Sequence, residues 1–171
     1  MSGKTIGLEM NNGFAGSYAR QPDMIINTRA NTEASAAIPF GHAVVVDTSN
    51  GGVKLPGASS TAGVFAGVAA RQVQSNTSYL SQNGAGEYPA KAPVSVFQRG
   101  RINVECKVGS PAIYGNVYLA ISTANGNVIG DFTATEGTLN TDTIKLTNCQ
   151  WGGSKDANNI VELVILNAVN A

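Results

Sequence analysis

The chain has 171 residues, enough to bury a core of its own, since a chain of this size hides roughly 70% of its unfolded surface on folding. Apolar residues make up 43% and charged residues only 13%, with 11 basic side chains balanced by 11 acidic ones. Nucleic acid is not expected as a main partner because its affinity comes from clustered Lys and Arg, which are scattered here, and no run approaches the ~20 apolar residues that span a bilayer.

Gly, Ala, Ser, Thr and Asn fill the place of the missing charge. A neutral, weakly charged surface favours association over colloidal repulsion. It suits an assembled protein, and also a plain soluble domain. No apolar stretch of adequate length follows Met1-Ser2-Gly3-Lys4. The expectation is therefore a protein without an export signal, made in the cytoplasm and kept or assembled there.

Residues 1–38 do not read as core. Asn11-Asn12-Gly13 and Gly16-Ser17 are turn chemistry. Residues 27–37 are polar and small with no lasting period. Phe14 and Tyr18 stand alone among small residues, and Met24-Ile25-Ile26 form one short apolar patch. So long an irregular segment is uncommon inside a compact domain. It reads as an extended N-terminal arm ahead of a domain at 39–171. One possibility is that it docks on another subunit through these anchors, losing its entropy on binding. The other is that it wraps its own barrel.

The remainder reads as short strands between Gly/Asn/Ser turns. Residues 43–46 form an apolar run, Thr48-Ser49-Asn50-Gly51-Gly52 a turn, and Val53-Lys54-Leu55 a returning strand. Residues 64–73 read as a buried strand in which Gly67 implies a bulge or a close backbone approach. A long Ser/Asn/Gly loop at 74–89 carries Tyr79 and Tyr88, which as loop tyrosines are expected to be contact residues.

The centre is a meander at 92–121. Ile102, Val104, Cys106 and Val108 alternate with Asn103, Glu105 and Lys107, which is period two with one apolar face. Gly100 marks a bend or bulge, and Gly109-Ser110-Pro111 ends the run. Asn125-Gly126-Asn127 turns the chain into 128–132. Residues 143–149 alternate again, with Ile144, Leu146 and Asn148 on one side. Trp151-Gly152-Gly153 reads as a loop holding an aromatic, and residues 160–166 as a closing buried strand. With about eight or nine short strands and little helix, the pattern is all-β, a small antiparallel β-barrel or β-sandwich.

No stretch carries catalytic chemistry. His42 is the only histidine, and its neighbours in sequence offer neither nucleophile nor orienting acid. Its simplest reading is a turn residue with a satisfied ring. Cys106 and Cys149 sit in strand-like runs and read as two buried thiols, or as a disulfide if their strands are neighbours. Two cysteines and one histidine do not make a four-ligand zinc site. Gly84-Ala85-Gly86 lacks the Lys-Ser/Thr of a phosphate loop. The expectation is a non-enzymatic protein with no cofactor and no metal.

The order of the pieces resembles a known family. A Gly- and Tyr-containing arm (residues 13–20) leads into A-I-P-F-G-H-A-V-V at 37–45. F-A-G-V-A follows at 65–69, K-A-P-V-S-V-F-Q-R-G-R-I-N-V at 91–104, and G-N-V-Y-L at 115–119. This resembles the structural cement, or head decoration, proteins of tailed bacteriophages. The resemblance implies a β-rich protein on the outside of the assembled head, bridging major capsid subunits as a dimer or trimer, and made in the host bacterial cytoplasm. Under that reading the candidate contacts are Phe14, Tyr18, Arg20, Met24, Ile25, Ile26, Tyr79, Tyr88 and Trp151. The competing readings are a tail or baseplate component, a carbohydrate-binding β-module and a small β-barrel hydrolase.

Overall fold

The structure is a computed structural model and describes residues 11–34, 36–72, 86–138 and 141–167. Eleven strands run through it in chain order. They are β1 (Tyr18–Ala30), β2 (Ile38–Pro39), β3 (Ala43–Asp47), β4 (Gly52–Lys54), β5 (Phe65–Ala69), β6 (Glu87–Tyr88), β7 (Pro93–Glu105), β8 (Asn116–Ala120), β9 (Phe132–Thr133), β10 (Thr143–Trp151) and β11 (Ile160–Ile165). Among the described residues helix is limited to short 3-10 turns such as Ala62–Val64 and Ala124–Gly126. The chain is all-β, and its antiparallel sheet curls into a half-barrel.

The main sheet has the order β4-β3-β5-β7-β11-β10-β8-β9, with β1 added on β7. β7 is its axis. One edge of β7 carries β1 from Pro93 to Ile102. The other is divided, with β5 at Val96 and Phe97 and β11 from Gly100 to Glu105. Two glycines let strands come this close. At Gly67 (φ +144) a Cβ would strike the Phe97 carbonyl oxygen, and at Gly100 (φ +111) the Asp23 carbonyl oxygen. Only glycine holds such positive φ without strain. The bend or bulge expected at Gly100 falls within one continuous strand, and the extra residues opposite it, the unpaired Gln21-Pro22-Asp23, belong to β1.

The half-barrel encloses the larger core, which includes Phe65, Phe97, Ile102, Val104, Leu119, Phe132, Trp151 and Leu163. A second cluster lies on the outer face of β3, β5 and β7, where the small β2–β6 sheet supplies Ile38 and Tyr88. β5 is consequently buried on both faces, which explains its unbroken apolar sequence.

Three sequence readings need correction. Residues 18–30, read as irregular, form a strand hydrogen-bonded to the chain's own β7. Tyr18, Met24 and Ile26 pack against the main core, Tyr18 stacking on Phe97 at 5.8 Å. In β10 the alternation changes phase. The register to β8 shifts between Leu146 and Gln150, so Cys149 and Trp151 turn inward and Asn148 does not. The third concerns Tyr88 and Trp151, taken up below. The two cysteines are free and buried.

Candidate functional site

Six large apolar side chains are exposed among the described residues: Phe14, Ile25, Ile113, Tyr114, Val128 and Leu166. Phe14 is 62% exposed and sits at the head of a tight turn. The Ser17 N–H and hydroxyl both donate to the Phe14 carbonyl, at 3.0 and 2.7 Å. The Arg71 guanidinium lies over the Phe14 ring, 4.7 Å from its centroid, which holds the ring in place.

Phe14 also lines a cleft of about 500 Å³ together with Phe40, His42, Glu105, Asp131 and Ile160. His42 faces the Ile129 carbonyl through Nδ1 (3.2 Å) and the Asp131 carboxylate through Nε2 (3.5 Å). Burial lowers its pKa below the usual 6.5, against the pull of Asp131. Asp131 also accepts from the Val128 N–H (3.0 Å) and lies 3.7 Å from Lys107, which pairs with Glu105 at 3.4 Å. The orienting acid that the local sequence lacks thus arrives from the β8–β9 connection, and it locks the ring into the scaffold. Among the described residues no group of three His, Cys, Asp or Glu side chains is placed to hold a metal ion.

Three arginines of the arm and meander are paired. Arg20 and Arg101 both bind Glu162 of β11, Arg20 at 3.1 Å, and Arg99 binds Asp23 at 3.3 Å. These pairs tie β1, β7 and β11 together across the surface. Ile25 is exposed beside them, while Met24 and Ile26, with Tyr18, belong to the core margin.

Tyr79 lies outside the described residues. Tyr88 and Trp151, expected on exposed loops, are buried at 2% and 1% exposure. Tyr88 packs edge-on to Phe40 at 5.0 Å and donates its hydroxyl proton to the Ala70 carbonyl. Trp151 ends β10 inside the main core. Their small neighbours do not expose them; they let the backbone close over the rings. A Cβ at Gly86 would strike the Phe40 ring, and one at Gly115 would strike the Ala112 carbonyl oxygen at 2.8 Å, with Trp151 Cδ1 in ordinary contact at 3.5 Å.

The sequence reading missed Ile113 and Tyr114, 62% and 72% exposed. They form the tip of the turn before β8, and Tyr114 holds a positive φ of 61° with its N–H donating to the Trp151 carbonyl at 2.8 Å. The signal was an apolar pair enclosed by Pro111 and Gly115, where a turn ordinarily carries polar residues.

Fold and surface together define a β-rich structural scaffold with fixed apolar knobs. The family model described as "Structural cement protein (E217 gp24/Pam3 gp6)" matches residues 3–166, and the chain belongs to that family. It is therefore a capsid-stabilising structural protein of a phage virion, one that associates with capsid proteins. A chain of the solved structure "The capsid of Myoviridae Phage XM1" shares the fold, with a TM-score of 0.66 at 21% identity over 99% of each chain. No curated protein sequence matches.

Proposed function

We propose that the protein binds the outer surface of the assembled head, bridges neighbouring major capsid subunits there as a dimer or trimer, and works by binding alone. It is made in the host bacterial cytoplasm and joins the shell from outside. The observation that carries this reading is the family match across residues 3–166. The proposed contacts are Phe14, Arg20 and Ile25, with Ile113 and Tyr114 added because both are exposed at a turn that the Tyr114 N–H ties to the Trp151 carbonyl. Tyr18, Met24 and Ile26 back that surface from the core margin. Rigid exposed aromatics lose little entropy on docking, and such residues dominate interfaces.

The test is the copy number of this chain in purified virions relative to the major capsid protein, by quantitative mass spectrometry. A ratio near one, or a fixed simple fraction of it, is expected. A ratio of a few per hundred would assign the protein to the tail or portal and overturn the bridging role.

A further inference from the structure

The outer edge of β1 is an open hydrogen-bonding edge. Two bonds just past the strand show which backbone groups face outward. The Asn31 N–H donates to the Ala92 carbonyl, on the β7 side, and the Thr32 N–H to the Val53 carbonyl, on the β4 side, both at 2.9 Å. Alternation then turns the N–H and C=O of Met24, Ile26 and Thr28 away from β7. β4 closes only the end of this edge, through its bridge between Asn31 and Val53. Among the described residues, Met24–Arg29 pair with no strand but β7. Natural edges of this kind are blunted with lysine, proline or a bulge. Here Pro22 and the Gln21–Asp23 irregularity guard the beginning; a further register shift falls between Ile25 and Ile26, where the extra residue, Gln98, belongs to β7, and Met24–Thr28 carry neither lysine nor proline.

We propose that this edge pairs, antiparallel, with the same edge of a second copy about a two-fold axis at Ile26. An edge of outward N–H and C=O groups accepts an extended strand, and this edge is complementary to itself. With the axis at Ile26, Asp23 of each copy, which also lies 3.3 Å from Arg99 of its own chain, faces Arg29 of the other, Met24 faces Thr28, and Ile25 faces Asn27. Pro22, which has no N–H to donate, falls opposite Ala30, where β4 already ends the edge. An axis at Met24 pairs neither charge, and one at Thr28 sets Asp23 against Glu33. Opposite charges facing each other across strands stabilise a pairing and like charges oppose it. The exposed Ile25 gains cover in the pair. The inference deepens the self-association in the reading above, but it is tested without heads, so its failure leaves the cement role untouched.

The experiment is sedimentation equilibrium of the purified full chain, with circular dichroism as the check on folding. The wild type is expected to be a dimer. Thr28→Pro removes an outward N–H from each copy without touching the β7 ladder. It should weaken the dimer by about 30-fold or more, two hydrogen bonds being lost per dimer. Asp23→Lys and Arg29→Glu should each weaken it, and the double variant should recover most of the loss, because the facing charges are then exchanged. A monomer or a trimer at all concentrations overturns the proposal. So does a dimer unaffected by a folded Thr28→Pro variant, or a double variant no tighter than the single ones. Should Thr28→Pro fail to fold, the charge exchange decides alone.

Discussion

Replacing Gly100 with Ala tests whether β7 is the axis of the sheet. Gly100 holds a φ of +111° where β1 and β11 flank β7 from opposite sides. Holding alanine in that conformation costs about 1–3 kcal/mol. The new methyl would also enter the Asp23 carbonyl oxygen and sit 3.1 Å from Phe97 Cζ. The carbonyl is backbone, so relief means lifting β1 from β7. That loosens Tyr18, Met24 and Ile26 from the core margin, a further loss of about 1–2 kcal/mol at ~25 cal/mol per Å² of apolar surface. The sum, about 2–5 kcal/mol, is a large part of the ~5–15 kcal/mol that holds a domain together. Urea unfolding followed by Trp151 fluorescence would read it as a lower midpoint with an unchanged slope. Gly57→Ala is the control, because a Cβ there meets nothing within 4 Å. A loss below about 1 kcal/mol for Gly100→Ala would refute the reasoning.

Stability should fall in two steps on acidification, read as urea midpoints across pH. Burial keeps His42 neutral below its usual 6.5, so the unfolded chain takes up a proton there that the folded chain refuses, and stability drops as the pH falls below about 6.5; His42→Gln should flatten this step. Asp47 is held at about 2 by hydrogen bonds led by the Asn50 side chain, so its contribution is present above 3.8 and lost as the pH falls toward about 2. Burial raises the pKa of both thiols, Cys149 to about 12, so a thiol reagent should label neither in the folded protein and both in urea. Trp151→Phe should cost only about 1–2 kcal/mol against ~3–5 for Trp151→Ala, because Nε1 has no hydrogen-bond partner among the described residues and only volume is lost. Glu162→Gln releases Arg20 and Arg101, both well exposed, and should cost no more than about 1 kcal/mol, less at high salt.

Strands are legible in this sequence where period two and turn chemistry agree. Residues 43–55 show both, and β3 and β4 pair with Asp47 opposite Gly52. β1 is illegible for a physical reason. Its alternation is interrupted by Gln21-Pro22-Asp23, and most of its side chains remain exposed after pairing, so hydrophobicity carries little trace of it. In β10 the bulge shifts the phase after Leu146, which a regular alternation cannot register. Contacts were harder to read than strands because exposure is tertiary. An aromatic beside glycine fits an open loop and a tightly closed one equally well, and Tyr88 and Trp151 took the second course. Phe14 is exposed, and the sequence shows it as an aromatic standing alone among small residues.

The positions of the knobs bear on how such a protein resists a load. Phe14 leads at once into β7, since the Gly16 N–H donates to the Asn103 carbonyl and the Asn103 N–H to the Ser17 carbonyl, at 2.8 and 2.9 Å. Tyr114 reaches the same place by ladder pairs. Its N–H bonds Trp151, Trp151 pairs with Leu163 of β11, and Leu163 pairs with Ile102 of β7. The two exposed aromatics therefore connect, through backbone hydrogen bonds, to adjacent residues of one buried strand. A pull applied between them is carried by the ladders of β7, β11 and β10, which lie inside the core, and does not depend on flexible side chains or free loops. If Phe14 and Tyr114 are contacts, as proposed, this arrangement serves a capsid-stabilising role, because binding energy at a surface knob resists separation only as far as the backbone behind it holds.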